Sequence, residues 1–168
     1  LGYIKWQIEK FESTNCKVLL NAAFSKIILK ASFQDGETRY SSKYRDIGHG
    51  EILRMYIAEL TSSLNKVRLI SPLIRFKDAT FISSDLRTNF LVEPNSIDLI
   101  VTSPPYANAT DYFLYHRFRL FWLGYDPRSL SKCEIGAHLR HQKEHTGFDE
   151  YIQEMTLCLG NMYRGLRA

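Results

Sequence analysis

The stretch Ser96-Ile97-Asp98-Leu99-Ile100-Val101-Thr102-Ser103-Pro104-Pro105-Tyr106 decides how this chain reads. Ile97, Leu99, Ile100 and Val101 would put apolar side chains on both faces of an extended segment, and Pro104-Pro105 stops it hard. That is the pattern of a buried strand in a parallel sheet. The two prolines fix φ and remove two backbone donors. What remains is a rigid turn that presents carbonyl oxygens. In open α/β sheets, ligands bind outside the carboxyl ends of the strands. A turn of this kind suits a ligand that donates hydrogen bonds. The Ser103 hydroxyl and the Pro104 carbonyl can each accept one from an amino group, and Tyr106 offers a ring on which a base can stack.

Upstream, Ala79-Thr80-Phe81-Ile82-Ser83 is short, rich in β-formers and ends at Ser84-Asp85. It reads as a second strand. Before it the apolar spacing is helical: Ile4, Ile8 and Phe11; then Leu19, Leu20, Ala23, Ile27 and Ile28 within 17–31; then Ile52, Leu53, Tyr56, Ile57 and Leu60 within 50–66. Residues 32–49 are polar, with a turn signal at Asp35-Gly36. Downstream, 112–123 is again helical in pattern. Residues 126–147, with Pro127, Gly136 and Gly147, read as a long loop. From Phe148 to about Leu166, the residues Ile152, Met155, Leu159 and Met162 mark a last amphipathic helix. The expectation is an α/β fold: a partial Rossmann-like domain over 1–168, with a helical N-terminal extension at 1–70 and the α/β part at 71–168. Two strands are too few for a complete doubly wound sheet, so the reading is of a fragment of a longer protein.

The chain's 168 residues suffice for one domain with a sizeable core. An apolar fraction of 45% and a charged fraction of 24% are ordinary for a globular protein. No apolar run approaches the roughly 20 residues of a membrane span, and Leu1-Gly2-Tyr3-Ile4-Lys5 is not a signal peptide. Cys16, Cys133 and Cys158 are odd in number and far apart, which points to a reducing, cytoplasmic setting rather than a disulfide framework. A net charge of +4 permits a polyanionic partner without demanding one.

The segment from Ser96 to Tyr106 closely resembles the catalytic motif of the DNA amino-methyltransferases. By that resemblance Ser103, Pro104, Pro105 and Tyr106 hold a flipped base, and its exocyclic amine takes a methyl group from S-adenosyl-L-methionine with no covalent enzyme intermediate. Serine at the first motif position is typical of cytosine-N4 enzymes, and aspartate of adenine-N6 enzymes. The resemblance spans about 15–165 and includes Gln34-Asp35-Gly36-Glu37-Thr38-Arg39-Tyr40, Ala107-Asn108-Ala109-Thr110-Asp111-Tyr112 and Trp122-Leu123-Gly124-Tyr125. It makes Asp85, in Ser83-Ser84-Asp85-Leu86-Arg87, the cofactor-binding candidate. It implies double-stranded DNA as substrate, a possible cognate restriction endonuclease as partner, and no membrane. The chain departs from the family in one large respect: it has no Phe-x-Gly-x-Gly cofactor loop, where glycine lets the backbone approach the ligand. Adenine-N6 or RNA amino-methylation, and a catalytically inactive DNA-binding fragment, stand as alternatives.

Other candidates carry a plain reading beside the sharp one. Tyr112, His116, Arg117 and Arg119 could contact nucleic acid, with Arg128, Lys132, Arg140 and Lys143 meeting phosphates; equally they suit a solvated helix face and loop. Asp85 could simply cap a turn. The Phe118, Leu120, Phe121 and Trp122 stripe reads as core. Cys133, His138, His141 and His145 lack a standard zinc spacing, so no metal is expected.

Overall fold

The computed structural model describes residues 1–33, 44, 46–73, 79–88, 91–107, 111–140 and 147–167. The described residues form helices and irregular segments: α1 (Gly2–Glu9), α2 (Thr14–Ile28), α3 (His49–Ile70), α4 (Tyr112–Tyr115), α5 (Arg117–Leu123), α6 (Pro127–Ser131) and α7 (Phe148–Gly165). The chain divides into two compact units, 1–77 with 114–127 and 78–113 with 128–168.

The first unit is built on α2, against which α1, α3 and α5 pack. Ser13 caps α2, its hydroxyl accepting from the Cys16 N–H at 3.4 Å. Ala23, Phe24, Ile27 and Ile28 of α2 are buried together with Ile4, Ile8 and Tyr56. Phe24 meets the edges of Tyr56 and Trp122, with ring centroids 6.5 and 6.1 Å away. The Tyr56 hydroxyl donates to the Leu20 carbonyl at 3.3 Å, so a buried polar atom keeps a partner. Burying each such large apolar side chain stabilises the unit by about 1.5–3 kcal/mol. Gly124, at φ +88, closes α5 in the left-handed conformation.

The second unit is built on α7. Its buried residues are Glu154, Cys158, Asn161 and Gly165, not the apolar stripe that the spacing suggests. Ile152 and Leu159 are exposed, and Met155 and Met162 half-buried. The reason lies in what α7 faces. The polar segments 85–88 and 134–140 supply carbonyls, guanidinium groups and carboxylates, and these select the polar face of the helix.

The α/β expectation is overturned: the described residues contain no strand and no sheet. Residues 79–83 and 97–102, expected as strands, form none, and no backbone hydrogen bond joins them. Instead 95–97 pairs with the end of α7. Ile97 and Leu166 form a single parallel bridge, with the Ile97 N–H donating to the Gly165 carbonyl at 2.9 Å and the Arg167 N–H donating to the Ile97 carbonyl at 3.0 Å. A strand with two apolar faces needs a neighbour at each edge and a layer over each face. Leu99 is 76% exposed, Val101 86% and Phe81 95%.

The expected helix over 112–123 is broken at His116 into α4 and α5, and the expected loop over 126–147 contains α6 and a helical turn at 138–140. In α3, Tyr56 is buried while Leu53 and Ile57 are exposed, because this helix carries apolar residues on two faces and only one of them packs. No helix among the described residues is long and apolar enough to cross a membrane.

Candidate functional site

The Ser103-Pro104-Pro105-Tyr106 turn lies in the second unit. Ser103, Pro104 and Tyr106 are exposed and Pro105 is half-buried. Tyr106 is 71% exposed, so most of its ring is open to a stacking partner. No described residue hydrogen-bonds to the Ser103 hydroxyl or the Pro104 carbonyl. Both residues are exposed, which leaves these acceptors available to a donor.

The far side of the turn is held by the protein. The Tyr151 hydroxyl of α7 donates to the Pro105 carbonyl at 2.8 Å. Gly136, buried and at φ +75, comes so close that a Cβ there would lie 3.0 Å from the Tyr106 carbonyl oxygen and 3.4 Å from Ala107 Cα. The segment carrying Gly136 is itself tied down. Glu134 accepts from the Tyr112 and Phe113 N–H groups at 2.5 and 3.0 Å, and Asp111 accepts from the Leu139 N–H at 3.0 Å. Burial pushes the Glu134 carboxyl above its ordinary range; the two N–H donors oppose that shift, and the charge of Asp111 adds to it.

Asp85 is paired with its neighbour Arg87. Its carboxylate accepts from Arg87 Nε at 2.9 Å, from Arg87 Nη2 at 2.6 Å and from the Arg87 backbone N–H at 3.0 Å. The side-chain hydrogen bond from Arg87 holds the Asp85 carboxyl below its usual value, against a smaller opposing effect of burial. Arg87 also binds Glu154. Arg140 in turn reaches Glu154 at 2.8 Å and Glu150 at 2.6 Å. Asn161 completes the network, donating to the Leu86 carbonyl at 2.6 Å. Asp85 therefore anchors a loop to α7, its carboxylate taken up by Arg87.

Three of the four nucleic-acid candidates lie in the other unit. Arg119 donates to the Ser25 carbonyl at 3.3 Å and lies 3.0 Å from His116 Nδ1. Arg117 donates to the Leu114 carbonyl at 3.1 Å and covers the Phe118 ring. His116, Arg117 and Arg119 are half-buried, so these groups help to hold the unit together. Tyr112, in the second unit, is 45% exposed. Phe118 and Trp122 do pack on the core, as the plain reading of that stripe has it, whereas Phe121 is 68% exposed.

Cys133 and His138 are exposed; His141 and His145 lie outside the described residues, as do Lys143, Gln34 to Tyr40 and Asn108 to Thr110. Sequence reasoning missed Tyr151, Glu134 and Gly136 as neighbours of the turn. Gly136 gave a signal as a loop glycine; Tyr151 gave none, since it lies 46 residues from Pro105.

Comparison with protein-family models, with curated proteins and with solved structures finds no match to this chain.

Proposed function

We propose that this chain carries the base-holding part of a DNA amino-methyltransferase, acting on the exocyclic amine of a flipped base, with cytosine N4 as the target. One observation supports this above the others: Ser103, Pro104 and Tyr106 of the turn are exposed, and no described residue hydrogen-bonds to the Ser103 hydroxyl or the Pro104 carbonyl. Ser103 Oγ and Pro104 O accept from the base –NH2, which orients the nitrogen lone pair away from the ring plane. Tyr106 stacks on the base, and stacking of about 1–3 kcal/mol offsets the few kcal/mol of extrusion. The methyl donor, S-adenosyl-L-methionine, belongs to the reading through the family resemblance. Because Asp85 is engaged by Arg87, no residue described in this chain is assigned to the donor. Double-stranded DNA, a cognate restriction endonuclease and a cytoplasmic setting are parts of the same proposal.

The test is tritiated methyl transfer to duplex DNA, followed by digestion and mass spectrometry of the nucleosides. The expected product is N4-methylcytosine. Ser103→Ala and Tyr106→Ala each reduce transfer at least tenfold with unchanged thermal unfolding. Undiminished transfer in both variants would sink the assignment, and N6-methyladenine would move it to the adenine enzymes. The Asp85–Arg87 pair favours one second reading, a module that binds nucleic acid without catalysis. Oligonucleotide binding with no methyl transfer under any condition would select it.

A further inference from the structure

We infer that Tyr151 is a positioning residue for the turn, and that with Gly136 it fixes which acceptors the turn offers. The inference rests on the base-holding reading and adds residues to it. Three carbonyls lie along Pro104-Pro105-Tyr106. The Pro105 carbonyl is engaged by the Tyr151 hydroxyl at 2.8 Å. The Tyr106 carbonyl lies against Gly136, where an added Cβ would crowd its oxygen at 3.0 Å. The Pro104 carbonyl and the Ser103 hydroxyl have no hydrogen-bond partner among the described residues, and both residues are exposed. Of the acceptors in the turn, these two are therefore the ones left to a ligand.

These acceptors are selective by their chemistry. A carbonyl oxygen can only accept, so the Pro104 carbonyl rewards an amine and disfavours a carbonyl at the same ring position. The ligand class this describes is an aminated pyrimidine, cytosine rather than uracil. The selectivity requires the Tyr106 ring, which stacks on the base, to stay in register with the Pro104 carbonyl, which reads its amine. Pro105 restricts ψ at Pro104, but ψ at Pro105 is not fixed by a ring, so rotation there would carry the Tyr106 ring out of register. Tyr151 prevents that by holding the Pro105 carbonyl. α7 keeps the Tyr151 ring in place beside Phe148, with ring centroids 5.6 Å apart.

The experiment measures binding of the full chain to two probes by fluorescence anisotropy. One is a thymine oligonucleotide with a single central cytosine, and the other has uracil at that position. Wild type is expected to prefer cytosine by about fivefold, the order of one net hydrogen bond. Tyr151→Phe keeps the ring and removes the hydroxyl. It is expected to abolish the preference while leaving affinity for the uracil probe unchanged, since stacking on Tyr106 persists. A merely structural role would weaken both probes equally.

A retained preference in Tyr151→Phe overturns the positioning role and leaves the base-holding reading standing, provided that Ser103→Ala loses the preference. If wild type shows no preference, or Ser103→Ala keeps it, the base-holding reading itself fails and this inference falls with it. Should Tyr151→Phe fail to fold, the second variant is Phe148→Leu, an exposed position whose ring lies beside Tyr151. It loosens the Tyr151 ring and is expected to weaken the same preference; keeping it in full counts against the inference.

Discussion

The two units of this chain are held together by different chemistry. In the first, Phe24, Ile27 and Ile28 of α2 are essentially removed from water, and the partners around them are aliphatic or aromatic. In the second, the buried residues of α7 are Glu154, Cys158 and Asn161, and what surrounds them is Arg87, Arg140 and backbone carbonyls. Apolar burial is non-directional and tolerates adjustment. A buried ionic network is directional and succeeds only when every member is satisfied. The second unit thus depends on geometry, and the candidate turn hangs on that geometry through Tyr151 and Gly136.

The difference can be broken most severely at Phe24. Phe24→Ala removes a fully buried ring and its edge contacts with Tyr56 and Trp122. The expected loss is about 3–5 kcal/mol. Both tryptophans, Trp6 and Trp122, lie in the first unit, so intrinsic tryptophan fluorescence in urea reads that unit directly. Cys158, 3% exposed in the second unit, reads the other through its protection from thiol reagents. The expected result is a lowered fluorescence midpoint with Cys158 still protected. A midpoint unmoved by Phe24→Ala would show that the apolar cluster is not what holds the first unit.

Glu154→Gln is the matching cut in the second unit. Glu154 receives both Arg87 and Arg140. Neutralising it leaves two guanidinium groups sharing Asp85 and Glu150. Removing one partner from a buried ion pair costs about 3 kcal/mol. Cys158 labelling is expected to accelerate, and the fluorescence midpoint to hold. If labelling stays slow, the network is ornamental and exposed apolar residues such as Leu157 must be packing in solution.

These contrasts explain what could be read in advance. The periodicity of Ile4 and Ile8, and of Ala23, Ile27 and Ile28, located α1 and α2 because those helices meet apolar neighbours and bury the stripe that shows. In α7 the same reasoning found the helix and chose the wrong face. An apolar stripe records a preference, and the neighbour decides whether it is met. The segment at 97–102 fails in the same way on a longer scale. Its residues favour extended backbone locally, but a sheet requires a partner strand, and a hydrogen bond to the Gly165 carbonyl and one from the Arg167 N–H take that place at a single point. The Ser103–Tyr106 turn was legible because its conformation is covalent: two proline rings set it. Its support by Tyr151 was not, because contacts across 46 residues leave no local trace.

The smallest expected effect is the pH response, and its sign separates the two units. Glu59 in the first unit is held below its ordinary value chiefly by the hydrogen bond from Lys26, and Asp85 in the second chiefly by that from Arg87. A lowered carboxyl contributes stability above its unfolded value, 4.5 for Glu59 and 3.8 for Asp85, and loses it as pH falls through the folded value. The Lys26–Glu59 pair is partly exposed, so its share is within about 0–1 kcal/mol. Glu134 runs the other way. Burial raises it, so the folded second unit takes up a proton at higher pH than the unfolded chain does. Acidification from neutrality toward 4.5 therefore strengthens that unit before Asp85 begins to weaken it. Urea midpoints followed by NMR at the amides of Phe24 and Ala137 would show this as a flat response in the first unit and a shallow rise in the second. Glu134→Gln should remove the rise and leave the later, acid-side fall. A rise that survives Glu134→Gln would show that Glu134 is not its source.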